Sequence, residues 1–367
     1  MSRLIEPWIA RSVARRVAGE NPLKGTEELD RLQRDLDAAV PRSESLVADA
    51  SGIPPPSPVR WGVISRGEWA DANITGMIAL MGPLADKIGE RLDQSSLPVR
   101  TAQRGIVSVE VGVLLGYISR RVLGQYDLLV PGADSVKARA FSRRSGAVST
   151  ADPGDGALYF VGPNMVEMER KFGFVPDEFA LWVALHEVTH RFQFAGVPWL
   201  RARFLDLVHT YLGSIEMNAK GLAERLATAG TRLISRSLAP EERNPMYLLA
   251  NEDQRTILNQ MQALMAVVEG HGNFVMDSVG AKVIPSFERM RELFEGRRSQ
   301  TTAIQRAINH VIGLEMKLRQ YELGQKFCNE VVARAGLDAL AHLWEGPENL
   351  PTLDELRAPE SWLTRIG

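Results

Sequence analysis

The sequence predicts a mainly α-helical protein of the α+β class with one small β-sheet. Long stretches repeat apolar residues at the 3.6-residue spacing of a helix, at residues 67–92, 103–123, 201–236, 246–279 and 300–335. Two short apolar runs bounded by Pro, Gly or Asp are typical of strands, and they cover residues 126–130 and 157–161. No internal repeat indicates a solenoid.

The N-terminal region combines helical patterns with a proline-rich break. Residues 4–18 and 26–39 have amphipathic helical patterns. Residues 51–58 hold four prolines, and proline lacks the N–H that helices and central strands need. We therefore expect a linker or surface strap there. The organisation that follows is N-terminal helices and strap over 1–60 and one domain over 61–367, with a single continuous domain as the alternative.

Composition and charge exclude several classes. The 367 residues carry a net charge of -2 and one cysteine, so no basic field attracts nucleic acid and no intrachain disulfide can form. The N-terminus lacks the uninterrupted apolar run of a secretory signal. The longest apolar stretch, at 106–118, is shorter than the roughly 20 residues that span a bilayer. We expect a cytoplasmic protein without a transmembrane segment.

The most informative motif is His-Glu-Val-Thr-His at residues 186–190, which has the pattern H-E-x-x-H. The helix predicted around it places His186 and His190 one turn apart on one face, where both imidazoles can share a metal ion. Glu187 lies beside that face and can take a proton from water. The helix is apolar nearly all round, so these polar groups are costly to bury without a partner. A metal is the simplest partner, and a hydrogen-bonded His/Glu network is the alternative.

A third protein ligand is expected, since catalytic zinc usually has three. Glu269 is favoured because it interrupts an apolar helix, and Gly270 and Gly272 beside it allow another backbone to come close. The alternatives are a salt bridge from Glu269 to an arginine, and His209 as the ligand. Glu216 and Glu224 also follow the motif at short range.

The helix with H-E-x-x-H followed by a later helix with Glu resembles the gluzincin group of zinc metallopeptidases. The chain is more similar still to the DUF2342 family of zincin-like hydrolases. The blocks that carry this resemblance are PNMVEMERKFGF (163–174), LWVALHEVTHRFQFAGVPWLR (181–201), LMAVVEGHGNFVMD (264–277) and MKLRQYELGQKFC (316–328). The N-terminal third of the chain fits the family's helical part more loosely.

The resemblance implies a zincin-like metallopeptidase fold, with the small sheet beside the H-E-x-x-H helix and additional helices at the N-terminus. It implies one zinc ion on His186, His190 and Glu269, with Glu187 as general base. The chain departs from the pattern at Asn273, where gluzincins often carry an Asp that orients a metal-binding histidine. An amide can still accept from an imidazole N–H, but without charge the ligand is less basic.

The expected activity is hydrolysis, most simply of a peptide. A donor should stabilise the oxyanion, and Tyr321, Arg319 and His271 are the candidates, in that order. In zincins an extended substrate pairs with a strand edge that precedes the metal helix. The residues expected to bind substrate in this way are Ala157, Leu158, Tyr159 and Phe160.

Two other functions fit the same residues. The protein could be a zinc-stabilised scaffold or partner-binding module with little turnover, or a hydrolase of a small non-peptide amide. The intact Glu187 disfavours a purely structural site, whereas Asn273 mildly favours it. Neither a P-loop, nor G-x-G-x-x-G after a strand, nor G-x-S-x-G is present.

Overall fold

The computed structural model describes most of the chain. Side chains are described for residues 4–57, 60–82, 84–85, 87–88, 96–128, 156–215, 247, 249–294 and 322–367, and the backbone alone for 295–299 and 314–321. The chain forms two compact units, one of residues 1–201 with 278–287 and one of 202–277 with 288–367. The predicted boundary at residue 60 does not separate these units, and it stays a prediction.

The first unit contains helices around a small sheet. Its elements in chain order are α1 (Pro7–Ala18), α2 (Glu27–Ala50), β1 (Trp61–Ile64), α3 (Arg66–Leu80), α4 (Leu97–Ser119), β2 (Gly124–Asp127), β3 (Ala157–Val161), α5 (Gly162–Phe172) and α6 (Pro176–Gly196). Helices α1 and α4 pack so closely that an added side chain would not fit between them. A Cβ on Gly112 would lie 2.7 Å from the carbonyl oxygen of Ala10, and one on Gly116 would lie 2.7 Å from that of Ala14.

The described residues form a sheet of three strands in the order β1–β3–β2. Strand β3 pairs parallel with β1, Leu158 opposite Trp61, and antiparallel with β2, Leu158 opposite Tyr126. The prediction that Ala157–Val161 offers an edge is therefore wrong, since the backbone of Leu158, Tyr159 and Phe160 has a neighbouring strand on both sides. Among the described residues, β2 lies at one edge of the sheet, and it packs against α6.

A strap crosses the C-terminal half of α6. Arg191 is only 2% exposed, and its guanidinium donates to the carbonyl oxygens of Pro56 and Ser57 and pairs with the carboxylate of Glu44 on α2. A Cβ on Gly196 would lie 2.8 Å from the carbonyl oxygen of Pro54. The proline-rich segment is thus a strap, as the sequence predicts, and it helps to fix α6 against α2.

Helix α5 is tied to α2 by an ion pair whose carboxylate is buried. Glu169 pairs with Arg31. Burial raises the pKa of the Glu169 carboxyl to about 7, although the charge of Arg31 and its hydrogen bond act in the opposite direction. The two residues of this pair are far apart in the sequence, and no motif indicates that they meet.

The second unit is helical in the part that the structure describes. Its elements are α7 (Leu200–Ser214), α8 (Glu252–Val283), α9 (Phe287–Ser299) and α10 (Leu314–Ala341), followed by two 3₁₀ turns, α11 (Leu353–Arg357) and α12 (Pro359–Ile366). Helix α10 is interrupted at Gly336, whose φ of 85° lies in the left-handed region. Residues 200–201 of α7, 278–283 of α8 and 287 of α9 belong to the first unit.

Helices α8 and α10 cross at two glycines. A Cβ built on Gly270 would overlap the backbone of Gly324, and one on Gly324 would overlap the carbonyl group of Ala266. The prediction that Gly270 admits another backbone is confirmed. The two backbones are in contact, so this crossing fixes α10 against the turn of α8 that carries Glu269.

The mainly α fold with a small sheet is confirmed. Among the described helices, none is both long enough and apolar enough to cross a membrane.

Candidate metal centre

Helix α6 places the motif in the interior of the first unit. Pro176 stands in its first turn with Asp177 and Glu178, where a fixed φ and negative charges favour a helix start. The helix is buried on most of its surface, including Leu181, Leu185 and Val188 and other apolar residues. A rigid, packed helix can hold two side chains in one geometry, which a metal site needs.

The two histidines turn the same nitrogen towards one point. The Nε2 atoms of His186 and His190 are 3.1 Å apart, and their ring planes are nearly perpendicular, at 84°. Two nitrogens at about 2.0–2.1 Å from a tetrahedral zinc would lie about 3.3–3.4 Å from each other. The separation in the protein is close to this value, so the imidazoles fit joint coordination of one ion.

Glu269 is the candidate for a third metal ligand. It lies on α8 and is 5% exposed. His186, His190 and Glu269 are a set of side chains that could hold a metal ion. Two imidazoles and a carboxylate form a common ligand set of catalytic zinc, so the residues present fit a zinc ion.

Glu187 lies against the backbone of strand β2. A Cβ added to Gly124 would lie 2.5 Å from Cγ of Glu187 and 2.8 Å from its Oε1, so only glycine leaves room for this carboxylate. Gly124 is the first residue of β2. The carboxylate therefore lies beside the backbone of β2, which no sequence pattern indicates.

A glutamine missed by the sequence analysis contacts His190 from the same helix. Oε1 of Gln193 is 2.9 Å from Nδ1 of His190, and Gln193 is fully buried. The available signal is its spacing, since a polar residue three positions after His190 on the same helix can reach back to that histidine.

The other predicted site residues are placed as follows. His271 is fully buried, and its ring meets the ring of Trp344 at a centroid distance of 4.9 Å. Asn273 is half-buried on α8, and His209 is exposed on α7. The side chains of Arg319 and Tyr321, and residues Glu216 and Glu224, lie outside the described residues. The roles predicted for His271 and Asn273 stay predictions.

If Glu187 is the general base that the sequence predicts, Gly124→Ala should lower hydrolytic turnover by about 100-fold, since a displacement of about 1 Å of a catalytic group has an effect of that size. The new methyl group would push the carboxylate of Glu187 away, while metal content should not change. Hydrolytic turnover and metal content measure the two effects. Gly213→Ala is the control, because a Cβ there meets nothing within 4 Å. Unchanged turnover in Gly124→Ala would contradict the placement of Glu187.

A buried helix that carries paired histidines, with a glutamate between them beside a small sheet, is typical of the zincin class of metallohydrolase. The chain belongs to the zincin-like metallopeptidase family, whose sequence profile matches residues 5–363. The structure is also similar to a crystal structure from Chloroflexus aurantiacus, described as a candidate hydrolase with a novel fold. That similarity has a TM-score of 0.67 at 29% identity, over 99% of this chain and 98% of the other. No curated protein matches the chain.

Proposed function

We propose that the protein is a zinc-dependent hydrolase that cleaves peptides. The observation that carries this proposal is the convergence of His186 and His190 Nε2, 3.1 Å apart, in a helix that also holds Glu187. Membership of a metallopeptidase family supports the reaction class. The fit of two imidazoles and a carboxylate to zinc supports the cofactor.

In this proposal His186, His190 and Glu269 hold one zinc ion. Bound zinc would supply Lewis acidity, lowering the pKa of water and polarising the carbonyl of the substrate. Neutral imidazoles need a lone pair on the nitrogen that binds, and Nε2 is that nitrogen in both histidines. The charge of Glu269 partly balances the ion in a buried environment, where an unpaired carboxylate would be costly.

Glu187 acts as the general base. Its side chain starts one residue after His186, so its carboxylate accepts a proton from water held near the two histidines, and later returns it to the leaving amine. Packing against Gly124 restricts the positions open to the carboxylate. A base held in one place abstracts a proton more effectively than a mobile one.

We propose β2, in place of β3, as the strand that binds an extended substrate. The N–H of Val161 donates to the carbonyl oxygen of Leu123, and alternation along an antiparallel pair then turns Gln125 and Asp127 towards β3. The backbone groups of Gly124 and Tyr126 point to the other side. A peptide added there would run beside Glu187, and backbone pairing would give weak sequence preference.

Arg319, Tyr321 and His271 remain the proposed oxyanion donors. Arg319 and Tyr321 belong to α10, whose position is fixed by the glycine crossing with α8. A neutral or cationic donor near the reacting carbonyl would stabilise the charge that develops there. The ring of His271 packs against that of Trp344, which disfavours this histidine as a donor.

Metal analysis tests the ligand set. We expect about one zinc per chain in wild-type protein after exposure to equimolar Zn²⁺ and desalting, and loss of most of it in His186→Ala and Glu269→Ala, since each removes a ligand. His209→Ala is the matched control, because His209 is exposed, and it should keep its zinc. Full occupancy in Glu269→Ala would reject the third ligand, and no zinc in wild type would reject the proposal.

A zinc-stabilised scaffold with little turnover is the second candidate. The amide at Asn273, in place of an acid, supports it, since a less basic ligand weakens metal binding and activity. Hydrolysis of a small non-peptide amide would use the same residues in the same roles. Cleavage assays on peptide mixtures and on small amides distinguish these functions.

A further inference from the structure

Gln193 has a position that packing alone does not require. It is a polar side chain with no exposed surface, on a helix whose other buried positions are mostly apolar. Its Oε1 lies 2.9 Å from Nδ1 of His190. Burying an amide in such a place is unfavourable unless its polar atoms are bonded, and the imidazole of His190 supplies a bond for Oε1.

The bond has a chemical consequence for His190. An amide oxygen only accepts, so Nδ1 must carry the proton, and the lone pair of the neutral ring is then on Nε2. Nε2 is the atom that faces His186. The same contact restricts rotation of the ring about its own axis, because a turned ring would break the bond to Oε1.

We infer that Gln193 is a positioning residue for the metal, which holds His190 in the Nδ1–H tautomer and at the angle that directs Nε2 towards the ion. This inference rests on the proposed zinc site and adds a residue to it. Gln193 does not touch the metal or the substrate, and it acts only through His190. A neutral acceptor orients the ring without the added basicity that a carboxylate would give.

The three-residue spacing between them explains why one helix can provide both the imidazole of His190 and the amide of Gln193. Residues three apart are neighbours on a helix surface, so Gln193 reaches back to His190 without help from another element. His186, one turn earlier, is contacted by His190 on the opposite nitrogen. Ligand and orienting group are therefore fixed by the same backbone, and the arrangement persists wherever α6 is intact.

The test compares two substitutions of nearly equal size, Gln193→Met and Gln193→Glu. Both remove the amide N–H donors, but only Glu keeps an acceptor for Nδ1 of His190. Zn²⁺ affinity is measured by competition with a chromophoric chelator, and unfolding of the metal-free proteins is measured in parallel. We expect affinity to fall about 10- to 100-fold in Gln193→Met and to equal or exceed that of wild type in Gln193→Glu.

A second measurement needs no metal. In metal-free protein with ¹⁵N-labelled histidine, wild type should show His190 as a single Nδ1–H tautomer, and Gln193→Met should show a mixture. Gln254→Met is the control, because Gln254 is also buried, at 3% exposure, but bonds to Ser214 on α7 and to Asn251, which immediately precedes α8. It should change neither the tautomer nor the zinc affinity.

The outcomes separate the inference from the function on which it rests. If wild type binds zinc and Gln193→Met binds it equally well, the positioning role is wrong and the zinc site stands. If Gln193→Glu is as weak as Gln193→Met although both fold, the acceptor is not what matters. If wild type itself binds no zinc, the proposed function fails, and the inference fails with it.

Discussion

Glu187→Gln is expected to lower kcat by about 10²- to 10⁴-fold, the usual contribution of a general base, with no loss of zinc. Gln has the same shape, so it fits beside Gly124, but its amide cannot take a proton from water. The ligand atoms of His186, His190 and Glu269 are unchanged. Steady-state cleavage of a peptide substrate gives kcat, and metal analysis of the same samples gives zinc content.

A matched substitution on the same helix serves as the control. Glu178→Gln changes a first-turn acid whose carboxylate accepts from the backbone N–H of Ser286 at 2.9 Å, outside the proposed site, and it should leave kcat unchanged. Parallel loss of zinc and activity in Glu187→Gln would show that Glu187 acts as a ligand or a structural group. Equal turnover in wild type and Glu187→Gln would favour the scaffold function.

Gly324→Ala should lower the free energy of unfolding by more than about 3 kcal/mol, above the usual range for an overpacked core. The added methyl would overlap the carbonyl group of Ala266, and the facing residue, Gly270, is also backbone without a side chain that could move. The helices must separate to admit it. Chemical denaturation of the purified protein measures the loss, and the zinc affinity should fall as well, since Glu269 adjoins the crossing.

Gly105→Ala is the control for the same change inside a helix. A Cβ at Gly105 meets nothing within 4 Å, and alanine has the higher helix propensity, so this variant should gain about 0.5–1 kcal/mol. Because the two substitutions are expected to change the free energy of unfolding in opposite directions, the comparison isolates the effect of the close approach between α8 and α10. A Gly324→Ala protein as stable as wild type would mean that α8 and α10 do not cross in contact.

Local sequence patterns predicted the presence of the helices more accurately than the residues at which the helices end. Helix α2 was expected over 26–39, but it extends to Ala50 through Pro41, although proline disfavours a helix interior. Its buried residues continue on one face from Leu32 to Val47, and that face packs along α6. Tertiary packing of this kind outweighs a local penalty, and a single segment does not reveal it.

The order of the strands in the sheet could not be predicted from sequence patterns. The run at 157–161 is a strand, as expected, but its central place depends on partners far along the chain. Strand β1 was missed, because four residues containing a glycine carry little alternation. Strand order is a property of the assembled fold, and the pattern of one strand cannot specify its neighbours.

The candidate site residues that lie on helices could be predicted from the sequence. Spacing alone places His186 and His190 together, and the placement of an acid in an apolar helix singles out Glu269. Gly124 could not be found in this way, since nothing near it in the sequence indicates Glu187. The same is true of Gly324, whose role depends on the crossing with α8.

The sheet topology also has a kinetic consequence. Strands β1 and β3 are parallel partners roughly a hundred positions apart, and Gly124 reaches Glu187 across more than sixty. Contacts at such separations form slowly, because a long loop must close and lose conformational entropy before these contacts can stabilise the fold. The contact between His186 and His190 is local to one helix, so we expect it to form earlier in folding than the contact between Glu187 and Gly124.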